Sequence, residues 1–166
     1  MRNLFEIDPW KIVETKFDAN KQKQAESIFS IGNGSFGQRA NFEEKYSGDT
    51  LQGSYIGGVY YPDKTRVGWW KNGYPEYFAK VLNSTNWIGI NIEIDGEQLD
   101  LNQQQIKYFH RELDMQKGLL KRTFRVVFGS GKELEVESTR FCSMAREEIA
   151  AISYTVTPLN FSGNVK

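Results

Sequence analysis

From Trp87 to Leu101 apolar and polar residues alternate with a period of two, the spacing that sends successive side chains to opposite faces of a sheet. Ile88, Ile90, Ile92 and Ile94 mark one face, and Asp95-Gly96 supplies the positive φ angles of a tight turn before Leu99 and Leu101 resume the pattern. The segment predicts a β-hairpin. A second hairpin is predicted between Thr123–Phe128 and Glu133–Cys142 across Gly129-Ser130-Gly131-Lys132, with Phe124, Val126 and Phe128 on the face of Leu134 and Val136. A further strand runs from Ile149 to Thr157, and Pro158 ends it by removing a ladder donor. Together these elements make an antiparallel meander.

Towards the N-terminus the pattern predicts a strand over Trp10–Phe17 and one short helix over Asp18–Ala25. Between Gly34 and Tyr77 glycines and aromatics are interspersed, as in short strands joined by tight turns. No long amphipathic helix, internal repeat or low-complexity linker interrupts the chain. Each apolar sheet face needs a second layer, so the expected fold is all-β, an antiparallel β-sandwich forming a single domain over residues 1–166. The turn at Phe161-Ser162-Gly163 leads into Asn164-Val165-Lys166, read as the start of another strand and hence of a sandwich truncated before its last strands.

Composition narrows the function classes. Twenty-one basic residues balance 21 acidic ones, leaving no field to draw in nucleic acid or anionic membrane. One cysteine, Cys142, and one histidine, His110, are too few for a zinc cluster, and Cys142 cannot form an internal disulfide. The opening stretch MRNLFEIDPWKIVETKF places charges in every short apolar run, so it reads as neither signal peptide nor membrane span, and a cytoplasmic location is expected.

Several clusters invite a chemical reading. Gly32-Asn33-Gly34-Ser35-Phe36-Gly37 matches the string of dinucleotide-binding loops, but Phe36, Ala40 and Phe42 alternate with Gly37, Arg39 and Asn41 where that fingerprint requires a helix. A turn between strands is the better reading. Glycoside chemistry needs carboxyl groups on either side of a scissile bond. Glu133, Glu135 and Glu137, however, share one strand face as a solvated row, and Glu147 and Glu148 sit in a polar turn. His110 lies near no nucleophile elbow, and Cys142 reads as a packed hydrophobe. Trp69, Trp70, Lys71 and Asn72, within Gly68–Pro75, are the candidate sugar-facing or interdomain residues: aromatic faces pack on pyranose C–H faces while Lys and Asn bond hydroxyls, although tryptophan serves buried interfaces equally.

Read together, Phe5–Trp10, Glu26–Gly34, Gly37–Glu44, Tyr46–Gly53, Tyr60–Pro75, Leu113–Gly118 and Glu137–Phe141 resemble, in order, the N-terminal region of glycoside hydrolase family 65, with most likeness to its maltose-cleaving members. That resemblance covers most of the chain. It implies an N-terminal, super-sandwich-like β domain of a larger disaccharide phosphorylase. In that family a glutamate of a separate (α/α)6 barrel protonates the glycosidic oxygen while inorganic phosphate attacks the anomeric carbon with inversion, so maltose gives β-glucose 1-phosphate and glucose. The barrel is absent from this sequence, and no catalytic residue is therefore assigned to it. The resemblance further implies no organic cofactor and no metal, inorganic phosphate as co-substrate of the full-length enzyme, the barrel as partner, and a homodimer. Kojibiose and trehalose phosphorylases of the same family are the alternatives for substrate. A free-standing carbohydrate-binding module and a complete small hydrolase are the competing classes.

Overall fold

The computed structural model describes residues 5–66 and 73–166. In chain order the strands are β1 (Glu6–Ile7), β2 (Lys11–Glu14), β3 (Ile31–Gly32), β4 (Phe36–Gln38), β5 (Ser54–Ile56), β6 (Tyr60–Lys64), β7 (Tyr77–Val81), β8 (Glu93–Ile94), β9 (Glu97–Gln98), β10 (Gln105–Asp114), β11 (Leu119–Val127), β12 (Glu133–Cys142) and β13 (Ala150–Pro158). One helix, α1 (Gln22–Ile28), follows a single 3-10 turn at Ala19–Lys21, whose first residues are capped by the Asp18 carboxylate accepting from the Asn20 amide at 3.0 Å.

Six strands in the order β1-β2-β10-β11-β12-β13 form one antiparallel sheet, and this is the first layer of an antiparallel β-sandwich. The opposing layer is not one sheet. It is assembled from α1, the three-stranded sheet β3-β4-β5, the irregular segment 39–44 and the β8-β9 hairpin. Two apolar clusters fill the space between. One packs Phe42, Ile92, Ile94, Leu99 and Leu101 onto Phe109, Phe124, Val126, Leu134 and Val136; the other packs Ala25, Phe29, Ile31 and Ala40 onto Leu113, Leu120 and Cys142. The meander read from the pattern is present with the expected register, Phe124 opposite Val136 and Val126 opposite Leu134.

Three readings need correction. The hairpin at Asp95-Gly96 forms, with φ of 51° and 84° as a two-residue turn of this hand requires, but its strands are short: Glu93–Ile94 pairs with Glu97–Gln98, and the Leu99 amide donates to the Ile92 carbonyl at 2.8 Å. Upstream, the backbone is engaged elsewhere: the Ile90 amide donates to the Glu43 carbonyl at 2.8 Å and the Ile88 amide to the Asn86 side chain at 3.2 Å. The alternation expected over Phe36–Phe42 stops at Gln38, and Ala40 to Glu44 are all buried with no period. Finally, β10 is a full strand of the main sheet that the apolar pattern concealed, because Arg111 takes an inward position between Phe109 and Leu113 and a bulge lies between Ile106 and Tyr108. At the other end of the chain, Val165 bridges Ile94, and Glu93 and Lys166 exchange two backbone hydrogen bonds.

Candidate functional site

A charged belt crosses the buried face of the main sheet between the two apolar clusters. Glu14, Arg111, Arg122, Ser138 and Tyr154 stand side by side on five successive strands, each paired with the next in register. Arg140 lies one row away, opposite Leu120. The irregular segment 40–44 runs over this belt and supplies its partners. Arg111 donates to the Glu14 carboxylate at 2.8 Å, to Gln22 Oε1 at 3.1 Å and to the Ala40 carbonyl at 3.3 Å. Arg122 donates to Glu43 and to both oxygens of Glu44, at 2.7 and 2.6 Å for the latter. Arg140 donates to the Asn41 carbonyl at 2.8 Å and lies 3.3 Å from the Glu43 carboxylate. The Tyr154 hydroxyl donates to Glu44.

The electrostatics of the belt follow from this geometry. Burial pushes the Glu43 carboxyl up, but Arg122 and Arg140 together outweigh it and hold the group below the ordinary glutamate range. At Glu14 the balance is reversed: burial raises the carboxyl more than Arg111 lowers it. Burial, reinforced by the Glu44 carboxylate, drives the Tyr154 phenol far above its ordinary value. Burial also raises the Cys142 thiol.

These shifts fix an alkaline response. An unfolded chain loses the phenol proton near pH 10, whereas the native protein keeps it on Tyr154, so the unfolded state sheds protons first and stability falls as pH rises. The unfolding free energy from urea titrations should therefore drop above about pH 9, where the Cys142 thiol contributes in the same direction, at up to about 1.4 kcal/mol per pH unit for each such group. Tyr154→Phe should flatten the part of the decline above about pH 10. An unchanged slope in that variant would mean that Tyr154 is not the group responsible.

No buried carboxylate of the belt is placed for acid–base chemistry on a ligand. Glu14, Glu43 and Glu44 are committed to arginines; Glu26 accepts from the Leu51 amide at 2.8 Å, Asp100 from the Ser47 and Asn102 amides, and Asp114 from the Lys117 amide at 3.0 Å. Glu133 and Glu135 pair on the outer face with Lys107 and Arg125. His110 is half-buried beside Glu112 at 3.8 Å, and Cys142 packs in an apolar cluster. Trp69, Trp70, Lys71 and Asn72 fall in the connection between β6 and β7 and lie outside the described residues.

A cavity of about 670 Å³ lies elsewhere. Gly34, Ser35 and Phe36 form one wall, Ser54, Ile56 and Gly57 a second, Ser84, Thr85 and Trp87 a third, and Glu147, Glu148 and Ala150 the fourth. Asn33 fixes the first wall to the fourth. Its Oδ1 accepts from the Ser35 and Phe36 amides at 3.1 and 3.0 Å, and its Nδ2 donates to the Ser143 and Glu147 carbonyls at 2.8 and 3.0 Å. Gly34 has φ of 94°, a conformation glycine adopts freely. The glycine-rich string is thus the turn between β3 and β4, as expected, and the turn clamps a distant loop. Phe36 meets Trp87 edge-on at 6.2 Å and 90°, and the indole N–H of Trp87 is buried with no hydrogen-bond partner among the described residues. Ser35 donates to the Glu147 carboxylate, and the Ser54 and Ser84 hydroxyls are 3.1 Å apart. Sequence reasoning missed this cavity because its four walls come from separated segments.

The chain is thus an antiparallel sandwich whose buried charges brace its own layers, with an aromatic-walled cavity away from them. Comparison with known proteins gives the family. The family described as glycosyl hydrolase family 65, N-terminal domain, matches residues 12–166, and the chain belongs to it. Maltose phosphorylase of Bacillus subtilis (strain 168) is 52% identical over 153 residues, 92% of this chain and 20% of that protein. Alpha,alpha-trehalose phosphorylase of Thermoanaerobacter brockii is 36% identical over 98% of this chain and 21% of its own length. A solved structure named for kojibiose phosphorylase, from the human microbiome, superposes with a TM-score of 0.81 at 34% identity, covering 92% of this chain and 20% of that one. The chain spans about a fifth of the length of these relatives. No helix among the described residues is long and apolar enough to cross a membrane.

Proposed function

We propose that the chain is the non-catalytic N-terminal scaffold of an inverting disaccharide phosphorylase that cleaves maltose with inorganic phosphate into β-glucose 1-phosphate and glucose. The observation that carries this reading is the 52% identity to a maltose phosphorylase, against 36% to a trehalose and 30% to a kojibiose phosphorylase. The commitment of the buried carboxylates to arginines and backbone amides supports the non-catalytic part. On this reading the general acid and the phosphate site belong to a partner barrel domain, and the sandwich braces that barrel. The full enzyme works in the cytoplasm without metal or organic cofactor, and a homodimer is its assembly.

The test is phosphate-dependent release of glucose 1-phosphate from maltose, trehalose and kojibiose. It compares the 166-residue chain with a polypeptide of the same gene extended to the length of the relatives. The expected result is turnover by the extended protein alone, with kcat/KM for maltose at least about a hundredfold above the other sugars, since a site built to bond particular hydroxyls discriminates strongly. Turnover by the 166-residue chain would overturn the scaffold assignment, and a preference for kojibiose or trehalose would overturn the choice of substrate.

A further inference from the structure

We propose that the cavity walled by Phe36, Trp87, Ser84, Thr85 and Glu147 binds a short neutral saccharide. Its volume, about 670 Å³, falls in the range of roughly 300–1,000 Å³ typical of small-ligand sites. The interior wall is aromatic: the Trp87 and Phe36 rings, set edge to face, offer apolar surface to the C–H face of a pyranose. Around them stand the hydroxyls of Ser35, Ser54, Ser84 and Thr85, which both donate and accept, as sugar hydroxyls do.

Charge sets the ligand class. Among the described residues no lysine, arginine or histidine lines the cavity, so a sugar phosphate would meet no counter-charge there. The carboxylates of Glu147 and Glu148 sit on exposed residues at the rim, where water screens them, and the Glu147 carboxylate already accepts from Ser35. The rim therefore suits hydroxyl donors of a neutral sugar, and the buried part holds no charge for a cation to pair with. Asn33 completes the case by holding opposite walls at fixed separation through four hydrogen bonds, so the site is formed before the ligand arrives.

This inference does not depend on the phosphorylase reading, because binding is measured without phosphate and without turnover. The experiment titrates the chain with maltose, following tryptophan fluorescence and indole N–H resonances, beside glucosamine and glucose 1-phosphate; far-UV circular dichroism confirms that each protein is folded. Saturable binding of maltose is expected, with a shift of the Trp87 indole proton. Trp87→Ala should weaken the Kd at least about tenfold. Thr85→Phe, a change at an exposed wall residue that does not touch the core, should block the cavity and abolish binding while the fold is retained. Absence of saturation by the folded chain, binding indifferent to Thr85→Phe, or tighter binding of glucosamine or glucose 1-phosphate than of maltose would each overturn the proposal.

Discussion

Replacing Arg122 by methionine should destabilise the protein by about 3–5 kcal/mol, a large share of the roughly 5–15 kcal/mol that holds an ordinary domain folded. Arg122 is 4% exposed and is the shared partner of two carboxylates, Glu43 and Glu44, that are equally buried. Without it Glu43 keeps Arg140 at 3.3 Å, whereas Glu44 keeps only the Tyr154 hydroxyl. One buried carboxylate is then left without a counter-charge, and removing a single partner of a buried pair costs far more than the pair itself contributes. The guanidinium also covers the Phe42 and Phe124 rings at 4.7 and 4.8 Å, contacts that methionine replaces only as apolar packing. Urea unfolding followed by circular dichroism measures the loss. Arg122→Met combined with Glu44→Gln should recover a substantial part of it, because the orphaned charge is gone; a single variant within about 1 kcal/mol of the parent would show that the belt does not hold the layers together.

The belt also explains how far the sequence could be read. Strands β11, β12 and β13 announce themselves because their inward residues, such as Phe124, Val126, Leu134 and Val136, are apolar where their neighbours are polar. The neighbouring β10 breaks that rule with Arg111, so the same alternation is present in the structure and absent from the hydropathy. Glu43-Glu44 is concealed in the opposite sense: two adjacent acidic residues carry no local sign of burial, yet both are buried because Arg122, far along the chain on β11, is opposite them in space. Ionic burial is a tertiary property. Local periodicity cannot report it, since the partner that makes it tolerable is 78 or 79 residues distant along the chain.

The cavity was hidden for a related reason. Asn33-Gly34 reads correctly as a turn, and Glu147-Glu148 as a polar loop, but nothing in either string says that the Asn33 side chain reaches the carbonyls of Ser143 and Glu147. The one available signal was Trp87, a large residue with a polar atom at the head of an isoleucine run, whose N–H needs a partner when buried. The family resemblance, by contrast, was legible because it rests on ordered identities along the chain and needs no knowledge of contacts. The fold it implied agrees with the six-stranded sheet and its broken covering layer.

Phe124→Ala should rival the loss at Arg122, at about 3–5 kcal/mol, although no charge is removed. Phe124 is fully buried at the centre of the main sheet, between Phe109 on β10 and Val136 on β12 in the same cross-strand row. Above it, Phe42 and the β8-β9 hairpin residues Ile92, Ile94, Leu99 and Leu101 close the larger cluster. Truncation opens a void that these neighbours can fill only in part, because β11 is fixed on both sides by ladder hydrogen bonds and cannot move inward. The ring also lies beneath the Arg122 guanidinium at 4.8 Å, so its removal loosens the packing around the charged belt as well as the apolar cluster. Phe124→Ala and Arg122→Met should therefore be non-additive, the double variant losing less than the sum of the singles. Phe124→Leu, which keeps most of the volume, should cost well under half as much as alanine by the same urea measurement. Equal losses for leucine and alanine would place the stabilisation in the aromatic contact with Arg122 rather than in the filling of the core.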